Sequence, residues 1–149
     1  MHVMSVAKFE RFFREVGRLD VDKQDLRRFD EFVNGEIYQM LLRAQANAHA
    51  NFRDIVEPQD LPIGNGLQEN VERYRRLDAE LELTPILEYL TTRPKLDKTL
   101  SDETERLLPE LAGGMSVAVA RLFRIIDPTL VTPHAEQWER VASVVRELL

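Results

Sequence analysis

Apolar residues recur at steps of three and four along most of this chain. Val6, Phe9, Phe12, Phe13 and Val16 share one helical face behind Ser5, a favoured N-cap, and Gly17 is placed to end that helix. Leu19-Asp20-Val21-Asp22 reads as a loop. A second stripe, Leu26, Phe29, Val33, Ile37, Met40, Leu41, Ala44 and Ala48, predicts an uninterrupted helix over about 25–51, some 40 Å long at about 1.5 Å per residue. A helix of that length has to pack on different neighbours along its course. Arg53-Asp54-Ile55-Val56 reads as a brief extended link, and Pro58 opens a short turn. A third helix is expected over about 67–81, with Leu67, Val71, Tyr74, Leu77 and Leu81 as its stripe. Thr84-Pro85 starts a short helix reaching Leu90, with Ile86 and Leu87 apolar. After a loop at Leu96-Asp97-Lys98, Ser101 caps a second long helix to about Ile126. Leu130-Val131 is again extended, and Thr132-Pro133 starts a last helix carrying Trp138, Val141, Val145 and Leu148.

The order short helix, loop, long helix, extended link, helix therefore occurs twice. A shift of 75 residues aligns Arg18 with Arg93, Asp22 with Asp97, Lys23 with Lys98, Met40 with Met115, Val56 with Val131 and Pro58 with Pro133. The identities cluster at the two loops. The expected organisation is one domain over 1–149, with pseudo-repeats at about 5–82 and 84–149.

Short, long and short helices joined by two loops of brief β character resemble the histone fold. In archaeal histones an arginine follows the long helix, a β-branched pair comes next, and an aspartate stands seven residues after the arginine. Arg53, Ile55-Val56 and Asp60 have that spacing. The resemblance implies that Arg53 and Asp60 form a structural clamp across the loop. The second half departs from it: Pro128 stands in place of the arginine and Ala135 in place of the aspartate, so Leu130, Val131 and Trp138 are expected to hold that loop by packing. Pro109 should kink the second long helix, and Gly113-Gly114 should weaken the same stretch. A single histone fold leaves its stripe exposed, and two in one chain supply the partner internally. The implied fold is an all-α histone-fold doublet, an intramolecular pseudo-dimer. The whole chain is similar to a bacterial single-chain histone-fold family with no assigned role. Ile37, Met40, Leu41 and Met115 belong at the expected crossing of the long helices.

Composition narrows the chemistry. The chain has 149 residues, 44% hydrophobic and 31% charged, with no cysteine and a formal net charge of −6. The missing cysteines remove disulfides, thiolate nucleophiles and Cys-based metal sites, and suit a reducing cytoplasm. The N-terminal stretch carries charges early and does not read as a signal peptide, and no run of apolar residues is long enough for a membrane helix. His2, His49 and His134 have no ligand spacing. Gly64-Asn65-Gly66 lacks the Lys-Ser/Thr of a phosphate loop. Asp20, Asp22 and Asp25 lack the later glycine and glutamate of a calcium loop and are better read as helix caps. No catalytic residue, cofactor site, metal site or small-molecule substrate is expected.

Lys8, Arg11, Arg14 and Arg18 share one face of the first helix, and Lys23 follows in the loop. In histones these places face DNA, which makes the five residues the candidate DNA contacts. Against that, the first thirty residues hold seven basic and six acidic side chains, a local net of +1, and the matching short helix over 84–92 carries Glu88 and no basic residue. Arg73, Arg75 and Arg76 on the third helix have Glu69 and Glu72 beside them, enough for intrahelical pairs. The expectation is a non-enzymatic interaction module, working as a homo-oligomer or with a protein partner. DNA binding is the alternative, disfavoured by the net charge.

Overall fold

A computed structural model describes residues 5–77, 81 and 83–148. Their order is α1 (Val6–Gly17), α2 (Lys23–Ala50), β1 (Ile55–Val56), a 3₁₀ turn (Pro58–Asp60), α3 (Asn65–Arg75), α4 (Thr84–Glu88) running into a 3₁₀ turn (Tyr89–Thr92), β2 (Thr99–Leu100), α5 (Asp102–Ile126) and α6 (Ala135–Leu148). The described residues are mostly helical, with one two-stranded parallel sheet among them in which Ile55 is opposite Thr99 and Val56 opposite Leu100.

Local chemistry sets the helix starts. The Ser5 hydroxyl accepts the Lys8 N–H at 3.4 Å. Asp22 and Asp25 form a reciprocal capping box: Asp22 accepts from the N–H groups of Gln24 and Asp25, and Asp25 accepts from that of Asp22 at 2.9 Å. Ser101 caps α5 through the Thr104 N–H at 3.1 Å. The N-terminus of α5 is also tied to the link after α2, because the Val56 carbonyl accepts both the Ser101 N–H at 3.0 Å and the Thr104 hydroxyl at 2.9 Å.

The core joins both halves of the chain. Phe9, Phe13 and Phe29 from the first half meet Phe123 and Trp138 from the second. The Phe13 and Phe29 rings lie edge to face at 5.5 Å, and those of Phe123 and Trp138 at 4.8 Å. Ile37, Leu41 and Met115 are buried, and Met40 sits at the margin of the core.

Several boundaries differ from expectation. The third helix ends at Arg75, because the N–H groups of Arg76 and Leu77 turn back to the carbonyls of Arg73 and Tyr74, three residues earlier, and close the last turn. The rest of its expected span crosses 78–80, outside the described residues, as are His2 and the Ile86 side chain; Leu81 is buried outside any helix. The last helix begins at Ala135, where the Gln137 side chain accepts the His134 N–H at 2.8 Å. Gly17 is the final helical residue of α1, and Arg18 takes the left-handed conformation at φ 55°. The glycine serves a close approach there, since a Cβ on it would stand 2.8 Å from the Ala120 carbonyl oxygen.

The largest difference concerns α5. The helix continues through Pro109, and every residue from Leu111 to Ala120 is buried. Gly113 and Gly114 are where α3 presses onto it. A Cβ on Gly113 would overlap the Tyr74 ring, and one on Gly114 would lie 2.5 Å from Val71 Cγ2 and 2.9 Å from its backbone nitrogen. The two glycines let a helix of the first half reach the backbone of a helix of the second, so they mark a tight contact rather than a weak stretch.

Candidate interaction surfaces

The link after α2 is rigid. Arg53 grips Asp60 with both arms of its guanidinium: Nη1 donates to Oδ2 at 2.6 Å and Nη2 to Oδ1 at 2.7 Å. Asp60 is buried and also accepts the Glu57 N–H at 2.8 Å. These bonds, the guanidinium's first, hold its carboxyl below the usual carboxylate range. Immediately before the clamp, Phe52 stands at φ 59° with its side chain 98% exposed. Its N–H bonds to the His49 carbonyl at 3.0 Å, and that of Arg53 to Ala48 at 3.0 Å. A bulky residue in this region of backbone space is strained. Ile55 is also exposed, and Asp54 projects wholly into solvent with one oxygen 3.5 Å from Lys98 Nζ.

The other link is held by different residues. The Arg124 guanidinium donates to the carbonyls of Gly17 at 2.8 and 3.1 Å, Arg18 at 2.7 Å and Pro128 at 2.5 Å. Leu130 and Trp138 are buried, whereas Val131 is 56% exposed and joins the first loop through its backbone, accepting the Asp20 N–H at 2.8 Å. The Trp138 indole donates to Asp25 at 2.7 Å across the two halves. Burial raises the Asp25 carboxyl, against the lowering effect of the Asp22 backbone and Trp138 bonds. Asp30 is a different case. Its Oδ1 is buried without a hydrogen-bond partner among the described residues, and burial pushes its pKa up to about 6.

The candidate DNA contacts lie where the sequence put them, on α1 and the start of α2. Lys8, Arg11, Arg14, Arg18 and Lys23 are all exposed. They do not form a free basic strip, because Arg11 bonds Glu15 at 3.1 Å. On α3, Arg75 pairs with Glu72 and, at 2.7 Å, with Glu110 of α5, so this cluster helps hold two helices together. No group of three or more metal-binding side chains occurs among the described residues, and no described helix is long and apolar enough to cross a membrane.

An open groove of about 2040 Å³ runs along α2, between α6 and the segment Leu61–Gly64. Phe32, Met40, Ile63 and Trp138 are among its lining residues. Arg146 of α6 crosses toward α2, with Nε 3.5 Å from Glu36 and its guanidinium over the Phe32 ring.

The family described as Domain of unknown function (DUF1931) matches residues 9–146. The chain belongs to the DUF1931 family. A solved structure from Thermus thermophilus is similar to this DUF1931 chain at a TM-score of 0.90 and 45% identity, over 98% of this chain and 99% of that one. A crystal structure of an Aquifex aeolicus protein has the same fold, with a TM-score of 0.82 at 20% identity over 96% and 94% of the two chains. An uncharacterised Aquifex aeolicus (strain VF5) protein is 36% identical over 137 residues, 83% of this chain and 80% of its own length.

Sequence reasoning passed over Phe52, Arg124 and the groove. Phe52 left a signal: the residue that leaves a helix in the left-handed conformation is usually glycine, and here it is phenylalanine. Arg124 left none, since the carbonyls it caps on α1, those of Gly17 and Arg18, are more than a hundred residues away.

Proposed function

We propose that this DUF1931 chain is a histone-fold doublet that works as a non-enzymatic protein-association module, with its two halves paired as an intramolecular pseudo-dimer. Three features support the doublet. β1 of the first half pairs in parallel with β2 of the second. The Asp20 to Val131 bond links the other two loops in the corresponding way. The Arg53–Asp60 bonds have the geometry the resemblance implies. A pseudo-dimer of this kind needs no second chain to bury its helical stripes, which leaves the outer surfaces for partners. The reading places it in the cytoplasm, in keeping with the absence of cysteine.

One observation favours protein over DNA as the partner. The paired links are where histones meet phosphates, and here their tips present Phe52, Ile55 and Val131 to solvent, with Asp54 beside Lys98 and with Arg18, Lys23 and Lys95 exposed around them. Apolar side chains offer a phosphate no contact and suit a protein surface.

Fluorescence anisotropy with duplex DNA at about 50 and 200 mM salt separates the classes, because several phosphate contacts would cost orders of magnitude in affinity over that range. Absence of binding at the lower salt is the expected result. Tight, salt-sensitive binding that is lost on changing Arg11 and Arg14 to Glu would overturn the association reading and install the basic face of α1 as the working surface.

A further inference from the structure

Arg93 is held against α2 more firmly than a surface arginine needs. Its Nε donates to Oδ1 of the buried Asn34 at 2.5 Å. Its guanidinium lies over the Tyr38 ring at 5.6 Å, and the Tyr38 hydroxyl donates to the carbonyl of the next residue, Pro94, at 2.6 Å. These contacts orient the guanidinium, yet the edge that carries its two outer nitrogens is unused. Among the described residues Nη1 and Nη2 have no hydrogen-bond or ion-pair partner. That edge is the part of an arginine that matches a carboxylate, two parallel N–H groups meeting two oxygens. Gly35 leaves room beside it. A Cβ there would stand 3.3 Å from Nη2, and both residues line the groove along α2.

The surroundings bear on what brings the carboxylate. From Arg28 to Asn47 the groove follows α2 for roughly 28 Å. Its volume of about 2040 Å³ exceeds the roughly 300–1,000 Å³ of a small-molecule site. A trough of that length fits a polypeptide segment lying along the helix. Its accessible apolar side chains are Phe32, one turn before Gly35, and Leu42, Pro62 and Ile63. Arg28 and Arg43 stand on α2 to either side of Gly35. Of the acids in the lining, Glu36 is engaged by Arg146, and neither Glu31 nor Glu139 pairs with Arg93. In a chain of net charge −6, an open arginine fork set among apolar side chains selects an acidic segment.

We propose that this groove binds an acidic, partly apolar segment of a partner protein, one carboxylate seated on Nη1 and Nη2 of Arg93 and the flanking apolar side chains covering Phe32 and Ile63. This rests on the association reading and names the partner's chemistry. The test is NMR of the full chain, following the Arg93 Nε–H and Gly35 amide signals. The probes are a helical peptide with leucine and glutamate stripes, the same peptide with glutamine for glutamate, and free glutarate. The glutamate peptide should move both signals saturably and bind at least tenfold tighter than either of the others. Arg93→Gln should weaken it at least tenfold. Arg106→Gln removes the same charge from an exposed site on α5 outside the groove and should leave binding unchanged. Gly35→Glu sets a carboxylate of the chain's own beside the fork, in a helix that accepts glutamate more readily than glycine, and should block the peptide with the fold retained. Signals that no probe moves overturn the site. Glutarate binding as tightly as the peptide overturns the protein partner in favour of a small free carboxylate. Glutamate and glutamine peptides that bind alike, or an Arg93→Gln protein that binds like the wild type, overturn the role of Arg93. Failure of the association reading shows instead in the DNA titration, through the basic face of α1, so the two failures are distinguishable.

Discussion

Two aspartates on the first half respond to pH in opposite directions. Asp60 is buried and bonded by Arg53, which lowers its pKa. Its contribution to stability is complete above the ordinary value of 3.8 and is lost as pH falls through the lowered folded value. Arg53→Met leaves that carboxylate buried without its counter-charge. It should cost about 2–3 kcal/mol at neutral pH, less than for a wholly buried pair because the arginine is partly in solvent. Urea unfolding at pH 7 measures the loss, and the gap between variant and wild type should shrink as the pH falls below 4. Asp30 acts the other way. Its folded pKa, raised from 3.8 to about 6, means that the charged form is disfavoured in the native state. Stability is unpenalised below 3.8, falls as pH rises, and carries the full penalty above about 6. Partial solvent access reduces that penalty to about 1–2 kcal/mol. Asp30→Asn should stabilise the protein by this amount at pH 7.5 and flatten its stability between pH 4 and 6. Equal unfolding midpoints for the two proteins at pH 7.5 would contradict the assignment of an unpartnered buried carboxylate.

At the scale of elements, the contact between α3 and α5 depends on the absence of side chains. Gly114→Val puts branched carbons where Val71 already stands, and should cost about 3 kcal/mol or more by forcing the helices apart. Gly64→Ala is the matched control. Nothing lies within 4 Å of its Cβ position and its φ is −83°, so calorimetry should find it neutral or slightly stabilising. These glycines also show how legible the chain was. The stripe of α2, the caps at Ser5 and Ser101, and the Arg53–Asp60 spacing are local, and each could be read from residues within one or two turns. A glycine pair inside a helix has two opposite local readings, a weak point or a close approach, and only the distant Val71 and Tyr74 decide between them. Pro109 is similar: its ring argues for a kink, yet α5 runs helical through it, and every residue from Leu111 to Ala120 just beyond it is buried. The candidate surfaces were the least legible. The basic face of α1 has a sequence period, whereas the groove is assembled from α2, Leu61–Gly64, Arg93, Met115 and α6.

Across the whole molecule, several ties connect the two halves. Trp138 donates to Asp25, Arg124 caps the end of α1, Thr104 bonds Val56, and α3 rests on α5. Neither half can keep its core when the other leaves, because Phe13, Phe29, Phe123 and Trp138 form one cluster drawn from both. The chain should therefore unfold in a single step despite its two-part pattern. Trp138 is the only tryptophan, buried at the seam, so its fluorescence reports the junction while far-UV circular dichroism reports all helices together. The two melting curves should coincide in midpoint and width, and Trp138→Phe, which leaves Asp25 without its indole donor, should move the dichroism curve down as a whole. A fragment ending at 82 should lack cooperative melting, since it carries Tyr74 and Val71 with no α5 to receive them. An early fluorescence transition followed by a separate helical one would mean that the halves are independent domains, and the pseudo-dimer reading would fall with that result.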